Sequence, residues 1–225
     1  MTVGFRICRN TRKVGAEMVA KYRGLPVANV SDCMSRLSAG GPRLRPMHRS
    51  GALAGPALTV KTRPGDNLML HKAIDMADPG DVVVVDGGGE LTHSLMGELM
   101  LAHAIRRGVA GFVINGAIRD AEAFLTRNLP VFAAGVTHRG PYKDGPGEIG
   151  YPISLDGMVI EPGDLVLGDW DGVLAVPLNE VVAVHAAAAA KNEAEGRQMA
   201  ATEAGTVDRS WVDQALARLG CETVG

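Results

Sequence analysis

The sequence predicts an α/β fold: one compact domain, residues 1–225, with a mixed β-sheet core, flanking helices and a C-terminal helical extension. Three observations carry this reading. Val82–Asp86 (VVVVD) is a short apolar, β-branched run and Phe112–Asn115 a second; both read as strands buried on two faces. A helical stretch lies between them. Glycine is abundant (29 residues) while aromatics are only 4%, which suits a chain of many tight turns.

Taken in order, the chain opens with helices near Gly15–Lys21 and Ser31–Leu37, the second capped by Ser31 or Asp32. A Gly/Pro loop covers Gly40–Pro46. Pro56–Lys61 alternates apolar and polar residues, as a strand does. TRPGDN is a turn, and Asp66 or Asn67 caps a helix running to about Met76. After the turn DPGD comes the strand Val82–Asp86, then a GGG loop. A helix is expected over about Leu95–Arg107, with the stripe Leu95, Leu99, Ala102, Ile105, stopped by Gly108. Phe112–Asn115 leads through Gly116 to Arg119–Asp120, a short helix at Ala121–Thr126 and a strand at Pro130–Ala134. Residues 136–150 form a long polar Gly/Pro-rich loop of the kind that often carries function. Short strands follow at Gly157–Ile160, Leu165–Gly168 and Val173–Val176, separated by EPGD and DWDG. A long helix from Asn179 to about Thr202 contains the run Ala186–Ala190, and a last helix covers Asp208–Leu219. The core spans about 27–178 and the C-terminal helices about 179–219. Those helices suit packing on another subunit.

Composition excludes several classes. The net charge is −2 and no stripe is rich in Lys and Arg, which argues against nucleic acid as a partner. No run approaches the ~18 apolar residues of a membrane span, and MTVGFRICRN lacks the apolar core of a secretion signal. Cys8, Cys33 and Cys221 are odd in number and far apart, fitting neither a disulfide framework nor a zinc site. A reducing cytoplasm is the expected compartment.

The chemistry concentrates in Asp86–Asp120. Two strand ends and one helix start meet there, and ligands of α/β sheets bind at the carboxyl ends of strands. The free N–H groups of the helix start favour an anion such as a carboxylate. Arg119 offers a planar fork for a carboxylate, and Asp120 is a hard oxygen ligand for Mg2+ or Mn2+. Alone, an adjacent Arg–Asp pair at a helix start also serves as cap and ion pair. The convergence of Arg, Asp, a Gly-rich strand end and an open helix N-terminus favours a site.

The stretches PGDNLMLHKAI, PGDVVVVDGGG, MGELMLAHAIRRGVAGFVINGAIRD and EPGDLVLGDWDGVLAVP run in order within about Val27–Gln198. With them the chain resembles the RraA-like family, in particular its metal-dependent branch, the 4-hydroxy-4-methyl-2-oxoglutarate / 4-carboxy-4-hydroxy-2-oxoadipate aldolases. The resemblance implies a fold of the swivelling β/β/α type and a divalent cation, Mg2+ or Mn2+. It implies a small 2-oxo acid substrate, carbon–carbon cleavage releasing pyruvate, and oxaloacetate decarboxylation as a side activity. It implies that backbone amides of Gly97, Glu98, Leu99 and Met100 hold the oxo-acid carboxylate, that Arg119 binds substrate and that Asp120 is the metal ligand. Glu98 stands where the aldolases carry an Asp near metal-bound waters. Glu195, or Glu193 two residues earlier, matches a Glu that reaches the site from a neighbouring subunit, so a homo-oligomer, trimer or hexamer, is expected.

There are departures. Asn115 stands where many members carry an acid, and His93 precedes the anion-binding helix. His93 reads as a solvated loop residue or a substrate selector, and His71 as a packed helix residue. His138, Arg139 and Lys143 read as a solvated loop, as a lid, or as a contact for a second carboxylate. Two rivals differ in class. One is a non-catalytic RraA-like regulator binding a ribonuclease, for which a shorter chain without the Glu195 extension is expected. The other is a nucleotide- or S-adenosylmethionine-binding transferase, supported only by VVVVDGGGE, which is not a G-x-G-x-x-G helix start. The fold without the activity is a third reading.

Overall fold

Residues 82–85 are four valines in succession, all with no solvent exposure. In the computed structural model, which describes residues 3–9, 12–222 and 224, they form the middle of a sheet covered on both sides. Val83 and Val85 enter one apolar cluster, Val82 and Val84 another. Side chains of a strand alternate between faces, so an unbroken apolar run needs two covered faces. The predicted domain's outermost residues, 1, 2 and 225, lie outside the described residues.

By contacts, residues 1–188 form one unit and residues 189–225 a second. The first contains, in chain order, β1 (Phe5–Ile7), α1 (Ala16–Tyr22), α2 (Val27–Asp32), β2 (Arg45–Pro46), β3 (Leu53–Thr62) and α3 (Leu68–Met76). β4 (Val82–Asp86), β5 (Ser94–Met96), α4 (Glu98–Arg107), β6 (Gly111–Ile118), α5 (Ala121–Arg127) and β7 (Val131–Val136) follow. Then come β8 (Gly147–Ile149), β9 (Ile153–Leu155), β10 (Met158–Ile160), β11 (Leu165–Gly168) and β12 (Val173–Val176). α6 (Val181–Glu203) begins in the first unit and continues into the second, which ends with α7 (Ser210–Arg218).

The sheet runs β1-β8-β3-β4-β6-β7-β2, and β3, β4, β6 and β7 are mutually parallel. β3 serves three partners along its length, one of them β8, antiparallel over Val60–Thr62. Leu53–Pro56 pairs antiparallel with β11, and Ala57–Lys61 parallel with β4. The α3 and α4 side chains Leu70, Ile74, Leu101 and Ala104 cover one face with Phe112 and Phe124. Leu44, Phe132 and the β9–β10 hairpin cover the other. This is the mixed α/β architecture the sequence predicts. Among the described residues no helix is long and apolar enough to cross a membrane.

Two expected helices are placed differently. The one expected over Ser31–Leu37 lies at Val27–Asp32, so Ser31 and Asp32 stand at its end. Pro26 supplies the fixed φ at its start, Asp169 Oδ2 accepts from Val27 N–H at 2.9 Å, and positive φ at Ser35 and Arg36 stops it. The helix expected from Leu95 starts at Glu98, because Ser94–Met96 pair as a strand with Ala117 and Ile118. Its buried residues are Met100, Leu101 and Ala104, whereas Leu99 is 85% exposed. The segment LMLAHAI carries two apolar arcs, and docking onto α3 and the sheet selects the second.

Candidate functional site

The parallel strands β4 and β6 deliver the chain to one rim, and Arg119–Asp120 follow β6 immediately. Arg119 N–H donates to the Met96 carbonyl at 2.9 Å, which holds this turn beside the start of α4. Asp120 adopts the left-handed conformation, φ 58°, a region uncommon for residues other than Gly, Asn and Asp. From there its Oδ2 accepts from Glu98 N–H at 2.9 Å, so Asp120 caps α4 from 22 residues away. Gly97 leaves room for the two side chains at this meeting. A Cβ there would lie 2.6 Å from Asp120 Oδ2 and 3.0 Å from Arg119 Nε.

Two cavities lie on the two sides of this turn. One, of about 140 Å3, is lined by Asn67, His71, Gly97, Leu99, Met100, Arg119 and Lys143, among others, and by no carboxylate. The N–H groups of Leu99 and Met100 have no acceptor among the described residues, as expected of a helix's first turn. With Arg119 and Lys143 they give the cavity a donor-rich, anion-favouring wall. Desolvation, and then the Lys143 ammonium, push the His71 imidazole below its ordinary value. The other cavity, about 570 Å3, is lined by Glu98, Asp120, Glu122 and Arg127 among others. Arg127 Nη2 donates to Glu98 Oε1 at 2.8 Å. Asp120 is 46% exposed, and no bond to its second oxygen is present among the described residues. Among those residues no cluster of three or more His, Cys, Asp or Glu is spaced to enclose a metal ion.

The structure therefore brings together Gly97, Glu98, Leu99, Met100, Arg119 and Asp120. Glu195 belongs to the second unit, where it pairs with Lys191 at 2.8 Å on α6, the helix that also carries Glu193. Loop 136–150 reaches the rim. Arg139 O accepts from Ser94 N–H and Oγ–H, and Tyr142 O from Asn67 N–H. Lys143 reaches the smaller cavity. His93 packs on Tyr142, ring centroids 5.1 Å apart, and lies 3.6 Å from Glu90. Asn115 Oδ1 accepts from Arg43. The GGG turn leads through a loop to β5 rather than into a helix, so it lacks the phosphate-binding geometry of a nucleotide fold.

Sequence reasoning missed Asn67 as a cavity residue, and missed Arg127 and Glu122. Asn67 is 3% exposed. Its only signal was its place beside a helix start, shared by any capping residue. Arg127 is the last residue of α5 and meets Glu98 across 29 residues.

Three comparisons bear on identity. A protein of Halalkalibacterium halodurans named "Putative 4-hydroxy-4-methyl-2-oxoglutarate aldolase" is 40% identical over 161 residues, 72% of this chain and 77% of the relative. An uncharacterized protein from Pseudomonas syringae pv. tomato superposes with TM-score 0.78 at 25% identity, covering 87% of this chain and 96% of that one. The RNA-processing inhibitor RraA from Thermus thermophilis gives TM-score 0.62 at 29% identity, covering 68% of this chain and 92% of that one. The family model described as RraA-like: Aldolase/RraA matches residues 27–175, the part that carries both cavities, and the chain belongs to that family.

Proposed function

We propose that the chain is a divalent-metal-dependent carbon–carbon lyase of the class II pyruvate aldolase type. Its substrate would be 4-hydroxy-4-methyl-2-oxoglutarate or a related 4-hydroxy-2-oxo acid. The observation that carries this reading is the placing of a carboxylate-free, donor-rich cavity at Arg119 beside an acidic cavity at Asp120. The name of the Halalkalibacterium relative supports it.

The open carboxylate oxygen of Asp120 fits a hard cation that keeps most of its shell as water and substrate. Asp120 would hold Mg2+ or Mn2+, with Glu98 in reach of its waters. When bound, the cation supplies Lewis acidity toward the keto oxygen. The protein's own groups do the rest. The Leu99 and Met100 amides hold the oxo-acid carboxylate. Arg119 donates to the keto oxygen as negative charge grows there. A water held by Glu98, or by Glu195 of the partner subunit, takes the proton of the C4 hydroxyl. The C3–C4 bond then breaks, C4 becomes the carbonyl of the second product, C3 takes up a proton from a water at the site, and pyruvate leaves. Oxaloacetate would lose CO2 at the same place, since its C3–C4 electrons move the same way. The Glu195 role makes the working form a homo-oligomer, a trimer or a pair of trimers, and the expected compartment is the cytoplasm.

The test is pyruvate release from 4-hydroxy-4-methyl-2-oxoglutarate and from oxaloacetate, with Mg2+, Mn2+ or EDTA. Release is expected with metal, to be abolished by EDTA, and to fall at least ~100-fold in Asp120→Ala, the scale on which one electrostatic group acts. Absence of turnover from the folded protein overturns the lyase reading. It would favour the second one, binding to a ribonuclease, for which the likeness to the inhibitor RraA speaks.

A further inference from the structure

Glu98 is fixed at both ends. Its backbone N–H donates to Asp120 Oδ2 at 2.9 Å. Its side chain is gripped from α5, where Arg127 Nη2 and Nε both donate to Oε1, at 2.8 and 3.3 Å. Two charge-assisted bonds to one oxygen set where the carboxylate lies, and Oε2 has no bond among the described residues. The base from which Arg127 reaches is itself tied down. Asn128, next in the chain, is left-handed at φ 55°. It accepts through Oδ1 from Arg49 and Ser50 N–H at 2.9 and 3.0 Å, and donates through Nδ2 to Ser50 Oγ at 3.2 Å. One turn back, Phe124 is fully buried in the core.

Stability does not explain the Arg127–Glu98 pair. The two side chains are 40% and 48% exposed, and exposed ion pairs add little to a fold. Charge in the cavity gives the pair another task. Glu98, Asp120 and Glu122 line the larger cavity, and Arg127 is the only cation among the described residues that line it. Like charges side by side repel, so Glu98 without Arg127 would turn away from Asp120 into solvent.

We infer that Arg127 is a positioning residue, which holds the Glu98 carboxylate beside Asp120 so that it binds the waters of a divalent cation there. This rests on the divalent-metal reading of Asp120. Arg127 touches neither cation nor substrate in this role. Groups that orient the outer shell of a metal change its affinity without contacting it. Charge alone acts in the opposite direction, because removing a cation from beside a metal site tightens metal binding. The two roles therefore differ in sign.

The experiment is a double-mutant cycle on Mn2+ affinity, read from the EPR signal of free Mn2+ with no substrate present. Wild type is compared with Arg127→Ala, Glu98→Ala and the double variant. Arg127→Ala is expected to weaken Mn2+ binding about 10-fold, the lower end of outer-shell effects. Arg127→Met, which keeps the stem and removes the donors, is expected to match it, and decides should Arg127→Ala fail to fold. In the Glu98→Ala background the same change is expected to cause no weakening, because the acid that Arg127 positions is gone. Pyruvate release at saturating Mn2+ is expected to follow. In Arg127→Ala kcat should fall about 10-fold with KM within about 3-fold, and the double variant should be no slower than Glu98→Ala. Unchanged or tighter Mn2+ binding in Arg127→Ala overturns the inference, as does equal weakening in both backgrounds. A raised KM with kcat kept would make Arg127 a substrate ligand and overturn it as well. The expected metal pattern without any turnover would sink the lyase reading and leave this inference standing, and turnover without the pattern would do the reverse. Folded wild type that binds no Mn2+ removes both.

Discussion

Arg119 and Asp120 are neighbours in the chain, yet one lines the donor-rich cavity and the other the acidic one. The left-handed φ of Asp120 makes this division, because it turns the carboxylate back onto Glu98 N–H. The pair itself was legible, since both residue types suit their chemistry without help from the fold. Arg127 was not, because its partner Glu98 lies 29 residues away. At this scale His71 gives a pH prediction. Desolvation first, then Lys143, lower its pKa from 6.5, while Asp75 opposes and His103 assists. A lowered pKa means that the folded state holds the neutral ring. Its contribution to stability is present above 6.5 and is lost as pH falls through 6.5 towards the depressed value. An NMR titration should give a His71 midpoint below 6.5, moving up in Lys143→Met. A midpoint unmoved by that substitution would show that the ammonium does not act on the ring.

Among elements, the loop after β7 is held as a strap rather than left as a free lid. Asp66, fully buried, accepts from Leu68 N–H at 2.9 Å through Oδ1, and from Asp144 and Gly145 N–H at 2.7 and 2.9 Å through Oδ2. Arg63 adds a fourth bond at 3.2 Å. One carboxylate thus joins the start of α3 to the segment that carries Lys143. Asp66→Ala would strand three amides, at about 1–3 kcal/mol for each one left dry. Hydrogen exchange at Asp144 and Gly145 should accelerate at least ~30-fold in that variant while β4 amides remain protected, about 2 kcal/mol of local stability. Exchange unchanged at those two amides would refute the strap. The sequence pattern placed Asp66 at a helix start correctly. Its second task could not be read, because the Asp144 and Gly145 amides are 78 and 79 residues distant.

For the whole molecule, the open matter is the partner. α7 buries none of its residues, and its Trp211 and Leu216 are 62% and 45% exposed. In the proposed homo-oligomer Glu195 serves a second copy's site, and that role is open to test. Asp120→Ala and Glu195→Ala should each be inactive alone. Mixed through a denature–refold cycle, they should recover activity, because some sites then combine an intact Asp120 with an intact Glu195. Failure of the mixture, with each variant folded and assembled, would remove Glu195 from the shared site.

Local pattern sufficed wherever one period or one residue's chemistry settled the outcome. The valines of β4, the strand–helix–strand order around them, the stops at Gly108 and the candidate pair Arg119–Asp120 all follow from short-range sterics, side-chain alternation and donor type. Packing chose among equals elsewhere. LMLAHAI carries two apolar arcs, and the sheet accepts the one with Leu101 and Ala104. Leu95 is apolar enough for helix or strand, and pairing of its neighbours with β6 makes it strand. The start of α2 is tied by Asp169, 142 residues away. Each of these rests on contacts between segments far apart in the chain, whose energies exceed the few tenths of a kcal/mol by which local propensities differ, about the size that periodicity alone can rank.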